Sequence, residues 1–202
     1  MASSKVQIAN QALIQLGVDP ILTLDDATKP ARTMKAIFDP IKEQLLRLHF
    51  WNCVTKRYSA AADVDAPVYE FTRQFTLPTD FLLVVSLENK NAQYVVENGK
   101  ILTNESSPLK FKYIRKTDDM NDLDSMCRHA LAMRLAVTTG FRLTGSRAVV
   151  SDAMVLYQTA ISEARYYDSI ETSIQTVEAD HFLDAHVGGV DDDLDFTRDF
   201  VF

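Results

Sequence analysis

Residues 94–103 carry the clearest local signal in the chain: Tyr94-Val95-Val96-Glu97-Asn98-Gly99-Lys100-Ile101-Leu102-Thr103. An Asn-Gly pair between two apolar runs supplies both positive-φ positions of a tight hairpin turn. The stretch therefore predicts a β-hairpin with one strand on each side of Asn98 and Gly99.

The sequence around this hairpin also has the pattern of strands. A compact apolar run occupies residues 81–87, and apolar and polar residues alternate in two further segments. The alternating positions are Tyr69, Phe71, Arg73, Phe75 and Leu77 in one segment, and Leu109, Phe111, Tyr113 and Arg115 in the other. A period of two is typical of a strand that buries one face. Residues 54–115 are therefore predicted to form a small antiparallel sheet.

Two helices are predicted before this sheet. Ser4 and Gln7 have the spacing of a capping box, and Gly17 is placed to end the first helix. The second helix is expected to open after Thr28 and to continue at helical spacing beyond residue 45. Pro40 lies in its middle, where it predicts a kink or a break into two short helices.

Two more helices are predicted after the sheet. The acidic cluster from Asp118 to Asp124 favours a helix start, because carboxylates cap free N–H groups. The apolar residues that follow cover more than one helical face, so the third helix should be packed on several sides. Gly145 and Ser146 predict a stop followed by a cap, and the last helix should end near Ile170.

These elements predict an α+β fold. It would be an antiparallel bundle of about four helices with an inserted small antiparallel β-sheet domain and an extended acidic C-terminal arm. The predicted divisions are residues 1–53 for the N-terminal helices, 54–117 for the β-rich domain, 118–171 for the C-terminal helices and 172–202 for the arm.

The charge of the chain is divided unevenly. The formal net charge is −7, from 21 Lys and Arg against 28 Asp and Glu. Residues 172–202 hold eight of the acids and one base, which leaves 20 of each sign in residues 1–171. A neutral body argues against gripping a nucleic-acid backbone, because such binding takes a net cationic surface.

The segment 172–202 admits two interpretations. Its acid content is typical of a disordered, solvating tail. Its phenylalanines favour an arm that docks on a partner, because aromatic side chains are common interface anchors. The docking interpretation makes the candidate partner-binding residues Asp191, Asp192, Asp193, Asp195, Phe196, Phe200 and Phe202.

Metal ligation has little support in the same segment. Asp191, Asp193 and Asp195 occupy the first three ligand positions of a calcium loop. Phe196 and Phe202 stand where that loop needs Gly and Glu. The segment's two histidines match no zinc spacing. We therefore expect no bound metal and no cofactor.

No catalytic residue is predicted. Cys53 and Cys127 lie in apolar sequence, where a thiol is usually an inert core residue, and two cysteines suggest a reducing compartment. His49 is expected to be a packed histidine at a helix end rather than a general base. Glu43 and Glu70 are of the residue type needed for glycosidic cleavage, but the sequence does not place them together.

Five arginines on the last two predicted helices are candidates for a macromolecular contact. They could face DNA, pair with acids across a subunit contact or lie on a solvated helix face. The neutral body favours the last two interpretations. The residues are Arg128, Arg134, Arg142, Arg147 and Arg165.

The order of short motifs along residues 4–170 resembles the tail tubular protein A, or head-to-tail adaptor, family of short-tailed bacteriophages. In the predicted N-terminal helices the resembling stretches are Ile8-Ala9-Asn10-Gln11-Ala12-Leu13, Leu16-Gly17, Ala31-Arg32 through Phe38-Asp39-Pro40, Leu45-Leu46-Arg47 and His49-Phe50-Trp51-Asn52. Further along they are Leu77-Pro78-Thr79-Asp80-Phe81, Tyr113-Ile114-Arg115 leading to Asp118-Asp119 and Met126, and Leu143-Thr144-Gly145-Ser146. Their order and spacing carry the resemblance, since each motif alone is a packing or turn pattern.

The resemblance implies a ring, usually of twelve subunits, between the capsid portal protein and a tail nozzle formed by a tubular protein B-like partner. Double-stranded DNA would pass through the ring without sequence-specific binding, and ring neighbours would bury a second apolar face of the helical core. The protein would be part of the virion tail, assembled in the host bacterial cytoplasm. Residues 172–202 would be a portal-binding arm.

Two other functions stay open. Lytic activity has been assigned to some tail tubular proteins, so the resemblance also implies peptidoglycan degradation as an alternative. The acidic segment could instead mimic DNA in a protein that regulates the host. Membrane insertion and classical secretion are not expected, because the chain lacks both a long apolar run and the apolar core of a signal peptide.

Overall fold

The chain alternates between helical and β structure in three blocks. The computed structural model describes residues 4–172. The helices of these residues are α1 (Lys5–Gln15), α2 (Lys29–Arg47), α3 (Ser125–Thr144) and α4 (Arg147–Ile170). The strands are β1 (Thr55–Ala60), β2 (Arg73–Thr76), β3 (Phe81–Leu87), β4 (Tyr94–Glu97), β5 (Lys100–Thr103) and β6 (Leu109–Arg115). The fold is α+β, as predicted.

The strands form two three-stranded antiparallel sheets, β1-β6-β3 and β2-β5-β4. The predicted hairpin is confirmed, because β4 and β5 pair on either side of Asn98 and Gly99, whose φ angles are 48° and 72°. Apolar residues of both sheets, including Phe75 and Phe111, share one buried cluster. The alternating segments therefore supply two sheets with a common core, where the sequence suggested one sheet.

Strand β2 is shorter than the alternating pattern predicted. Glu70 has a φ angle of 71°, and the Phe71 N–H donates to the Tyr69 carbonyl over 2.8 Å. This three-residue turn takes the chain out of the extended conformation. The predicted strand over residues 69–71 is therefore wrong, and the strand begins at Arg73.

The predicted helix boundaries are confirmed by their capping contacts. Ser4 and Gln7 form the capping box of α1, and the Thr28 hydroxyl accepts from the Ala31 N–H at the start of α2. Gly145 ends α3 in the left-handed conformation, with a φ angle of 70°. Ser146 then caps α4, whose last residue is Ile170.

Helix α2 runs without interruption through Pro40, so of the two predicted alternatives, a kink or a break into two helices, the break is wrong. Proline removes one backbone donor and leaves the carbonyl group four residues earlier without its helical partner. Pro40 and Ala36 both lie on the exposed side of α2. Water can bond the carbonyl group of Ala36 there, which lowers the cost of the missing hydrogen bond.

Helix α3 is the centre of the helical core. It contacts α1, α2 and α4, and its buried residues include Cys127, Leu131 and Leu135. The prediction that this helix is packed on several sides is confirmed. Elements of the same chain cover these sides except at Phe141, which is 56% exposed, and burial of a further face by ring neighbours stays a prediction.

The β1-β6-β3 sheet joins the helical core to the β core. Ile114 belongs to the helical core, whereas its neighbour Tyr113 belongs to the cluster between the sheets. Successive residues of a strand point to opposite faces, so β6 contributes to both cores. Arg47 Nη1 also donates to the Leu82 carbonyl over 2.7 Å. The elements up to Glu171 form one compact unit.

Candidate functional site

The predicted arm lies outside the described residues. This holds for Asp191, Asp192, Asp193, Asp195, Phe196, Phe200 and Phe202 alike. The candidate surfaces below therefore belong to residues 4–172.

His49 ties the end of α2 to α4. Its Nε2 lies 2.9 Å from Asp168 Oδ2, and its ring meets the Trp51 ring edge-on at 4.8 Å. The Asn52 N–H donates to Asp168 Oδ1 over 2.8 Å, and the side chain of Asp168 is only 11% exposed. The interpretation of His49 as a packed histidine at a helix end is confirmed. Sequence reasoning missed Asp168, because its partners lie more than a hundred residues earlier.

The structure brings the two cysteines together. The Cys127 side chain lies beside Cys53, and its thiol lowers the pKa of Cys53. The same contact, followed by burial, raises the pKa of Cys127. Cys127 is buried, as an inert core thiol should be, whereas Cys53 is half-buried and ionises more readily. No local pattern could have predicted this pair, because its members lie on opposite sides of the β block.

Most of the five candidate arginines are engaged within the chain. Arg128 donates to the Leu123 carbonyl, Arg142 to the Thr33 hydroxyl and Arg165 to the Leu48 carbonyl. The Arg134 guanidinium lies 5.2 Å from the centre of the Tyr157 ring. Arg147 is exposed at the start of α4. Within the chain, the first four bind carbonyl, hydroxyl or aromatic groups, and pairing with acids across a subunit contact stays a prediction.

The two candidate carboxylates lie on different elements. Glu43, on α2, forms an ion pair of 3.3 Å with Lys116. Glu70, in the turn before β2, lines a groove of about 430 Å³ beside the β4–β5 hairpin. Glu97 and Tyr69 line the same groove, and Glu43 does not. Sequence reasoning therefore missed Glu97 as the neighbour of Glu70.

The Leu-Pro-x-Asp-Phe motif has a structural role. The Tyr113 hydroxyl donates to Asp80 Oδ1 over 2.8 Å, and Lys56 Nζ lies 3.3 Å from Asp80 Oδ2. Burial, and then this hydrogen bond, raises the pKa of Tyr113. Asp80 thus joins the start of β3 to β1 and β6.

Residues 4–172 contain neither a metal centre nor a membrane-spanning helix. No group of three or more His, Cys, Asp or Glu side chains is arranged to hold a metal ion in this part of the chain. None of its helices is long and apolar enough to cross a membrane.

Helix α4 buries only one of its faces. Its buried residues are Ala153, Tyr157, Ala160, Ile161 and Ala164. On the opposite side, Val155, Tyr166 and Ile170 are 61%, 63% and 61% exposed. Val155 and Tyr166 are about three helical turns apart, and Ile170 follows Tyr166 by about one turn, so the three side chains lie on one side of the helix. We call this side the outer face of α4. Sequence reasoning missed this face, because polar residues such as Thr159 and Ser162 lie between its apolar positions.

More apolar side chains are exposed at the C-terminal end of α4. Leu48 and Phe50 follow α2, and Tyr167 lies on α4 itself. The contacts of Arg165 with Leu48 and of Asp168 with Asn52 hold the segment after α2 against this end of the helix. A groove of about 590 Å³ opens here between the start of α3 and the end of α4. Exposed apolar surface of this kind marks contact sites between proteins.

Comparison with known proteins assigns no role to these surfaces. Neither a scan against protein-family models nor a search of curated proteins gives a match to the sequence.

Proposed function

We propose that the protein is a structural component of the virion of a short-tailed bacteriophage. In this proposal its copies form a ring, of about twelve by resemblance, that joins the portal to the tail nozzle and surrounds part of the DNA ejection channel. It works in the virion tail after assembly in the host cytoplasm. The outer face of α4 is the observation that carries the proposal, together with the resemblance in motif order.

The outer face of α4 suits contact with another copy. Val155, Tyr166 and Ile170 lie on one side of a helix of 24 residues, and the other residues of 4–172 leave them in solvent. Burying a large apolar side chain completely is worth about 1.5–3 kcal/mol. A ring would bury this face once per subunit, so a modest contact would be repeated around the assembly.

The charge of the described chain is compatible with a channel for DNA. Residues 1–171 hold equal numbers of acids and bases, and four of the five candidate arginines are engaged within the chain. A channel that DNA crosses must not hold its phosphates strongly. The proposal therefore expects passage of DNA without stable binding.

Electron microscopy of the purified full-length protein, with and without portal rings, tests the proposal. We expect rings on their own or rings seated on the portal, and a mass measurement should give a multiple of the 22.8 kDa chain. Deletion of residues 191–202 should weaken attachment to the portal and leave the described part folded. A chain that stays monomeric and never binds the portal would overturn the proposal.

Peptidoglycan degradation is the alternative, and the groove at Glu70 favours it. Glu70 and Glu97 line this groove together with the exposed ring of Tyr69. Two carboxylates on either side of a sugar bond are the usual apparatus of glycosidic cleavage. A zymogram on purified peptidoglycan tests this function, with Glu70→Gln and Glu97→Gln as variants and Glu43→Gln as the matched control. Clearing that only the groove variants abolish would support it, and the absence of clearing would exclude it.

A further inference from the structure

The β1-β6-β3 sheet has a face that is rich in positive charge. Arg57 on β1 lies directly opposite Lys112 on β6, and Ser86 on β3 lies on the other side of Lys112. In the next row, Ser59 pairs with Lys110, and the Glu88 N–H donates to the Lys110 carbonyl over 2.8 Å. Cross-strand partners point to the same side of a sheet. These six residues form what we call the basic face.

Two of the three cations on the basic face have no acidic partner among residues 4–172. Lys110 Nζ lies 3.1 Å from Glu88 Oε1, the one carboxylate of this face. Within the described residues, the side chains of Arg57 and Lys112 form no hydrogen bond or ion pair. Like charges directly opposite one another destabilise a sheet. The repulsion between Arg57 and Lys112 therefore costs stability, and an anionic ligand bound between them would offset that cost.

The basic face borders a groove of about 410 Å³. The side chains of Leu87 and Phe111 belong to the buried cluster on the opposite side of the sheet, so they offer no surface to a ligand in this groove. The hydroxyl groups of Ser59 and Ser86 add small donors between the cations. The groove therefore offers charged and hydroxyl donors to an anionic ligand.

We propose that the basic face binds an acidic segment of a partner protein, with two of its carboxylates beside Arg57 and Lys112. A protein segment fits better than nucleic acid, because nucleic-acid binding takes a broad cationic surface and the body of this protein is neutral. The inference depends on this sheet alone, and it stands whether or not the chain forms a ring.

Fluorescence anisotropy with a labelled poly-aspartate peptide tests the proposal on the full-length protein at low ionic strength. The double variant Arg57→Gln/Lys112→Gln removes the two cations without acidic partners, and binding should weaken about tenfold. The control variant Lys29→Gln/Arg32→Gln removes the same charge from the exposed start of α2 and should bind like the unmodified protein. The difference should vanish at high salt, because the contacts are exposed to solvent.

A charge-reversal variant distinguishes lost binding from a folding defect. Lys112→Glu places opposite charges across the strands, so this variant should fold and should not bind the peptide. Circular dichroism checks the fold of each variant. Equal binding by the double variant and the unmodified protein would overturn the proposal. So would tighter binding of a short DNA duplex than of the peptide, with the same loss in the double variant, because the face would then be a nucleic-acid contact.

Discussion

Asp168 is the residue that fastens α2 to α4, through bonds to His49 and to the Asn52 N–H. The change Asp168→Ala removes the acceptor of both at a site that is largely closed to solvent. We expect the free energy of unfolding to fall by about 2–3 kcal/mol, the usual cost of buried groups that lose their partners. Urea denaturation followed by Trp51 fluorescence measures this loss.

Asp152 gives the matched control for that change. It lies on the same helix, fully on the exposed side. Asp152→Ala should alter the free energy of unfolding by less than about 0.5 kcal/mol. Equal effects of the two substitutions would contradict the role assigned to Asp168.

Asp39 makes part of the stability depend on pH. Its carboxylate lies 2.8 Å from Lys5 Nζ and 2.9 Å from Lys42 Nζ. Burial acts to raise the pKa of Asp39, but the hydrogen bonds from the two lysines outweigh it, and the pKa is lowered. A carboxyl group whose pKa is lower in the folded state stabilises the fold above its unfolded pKa of about 3.9, and that contribution is lost as the pH falls.

The variant Asp39→Asn should therefore lose less stability than the unmodified protein between about pH 6 and pH 3. Thermal unfolding across this pH range measures the difference. Asp152→Asn, which removes an exposed carboxylate without such partners, should keep the pH dependence of the unmodified protein. An Asp39→Asn curve parallel to that of the unmodified protein would show that the lysine contacts carry no pH-dependent stability.

At the scale of elements, α4 has separate faces for folding and for contact. The double change Tyr166→Ser/Ile170→Ser alters only exposed side chains of the outer face. The free energy of unfolding of the monomer should change by less than about 1 kcal/mol, whereas self-association should be lost. Light scattering measures the assembly, with Gln158→Ser as a control at an exposed polar position of the same helix outside the outer face. Association that survives the first change would place the contact elsewhere.

The elements that the sequence predicted well are those with short-range causes. Ser4, Asn98-Gly99 and Gly145-Ser146 act through hydrogen bonds or φ angles within four residues, and each boundary is confirmed. The strand predicted from Tyr69 failed because the positive φ angle of Glu70 interrupts an otherwise suitable alternation. Alternation of apolar and polar residues indicates which side chains can share a face of a strand. It does not reveal a backbone turn within the segment.

At the scale of the whole molecule, the β1-β6-β3 sheet should make the helices and the β block unfold together. Phe75 is fully buried in the cluster between the sheets, whereas Trp51, the one tryptophan of the chain, lies in the helical core. The change Phe75→Ala should cost about 3–5 kcal/mol. Because β6 belongs to both cores, Trp51 fluorescence should report the same shift in the urea midpoint as far-ultraviolet circular dichroism. A Trp51 midpoint that does not move would show that the two cores unfold separately.

Except for the strand expected at residues 69–71, the local elements follow from the amino-acid sequence alone, as does the division of charge between the body and residues 172–202. These properties depend on neighbouring residues or on composition, so no tertiary contact is needed to obtain them. Tertiary packing is what brings Cys53 to Cys127, Asp168 to His49 and Arg57 to Lys112, and what divides the strands between two sheets. These contacts join residues far apart in the chain. Which of these contacts form depends on which packing of the two cores buries the most apolar surface. The pattern of any single segment does not show how the alternative packings compare.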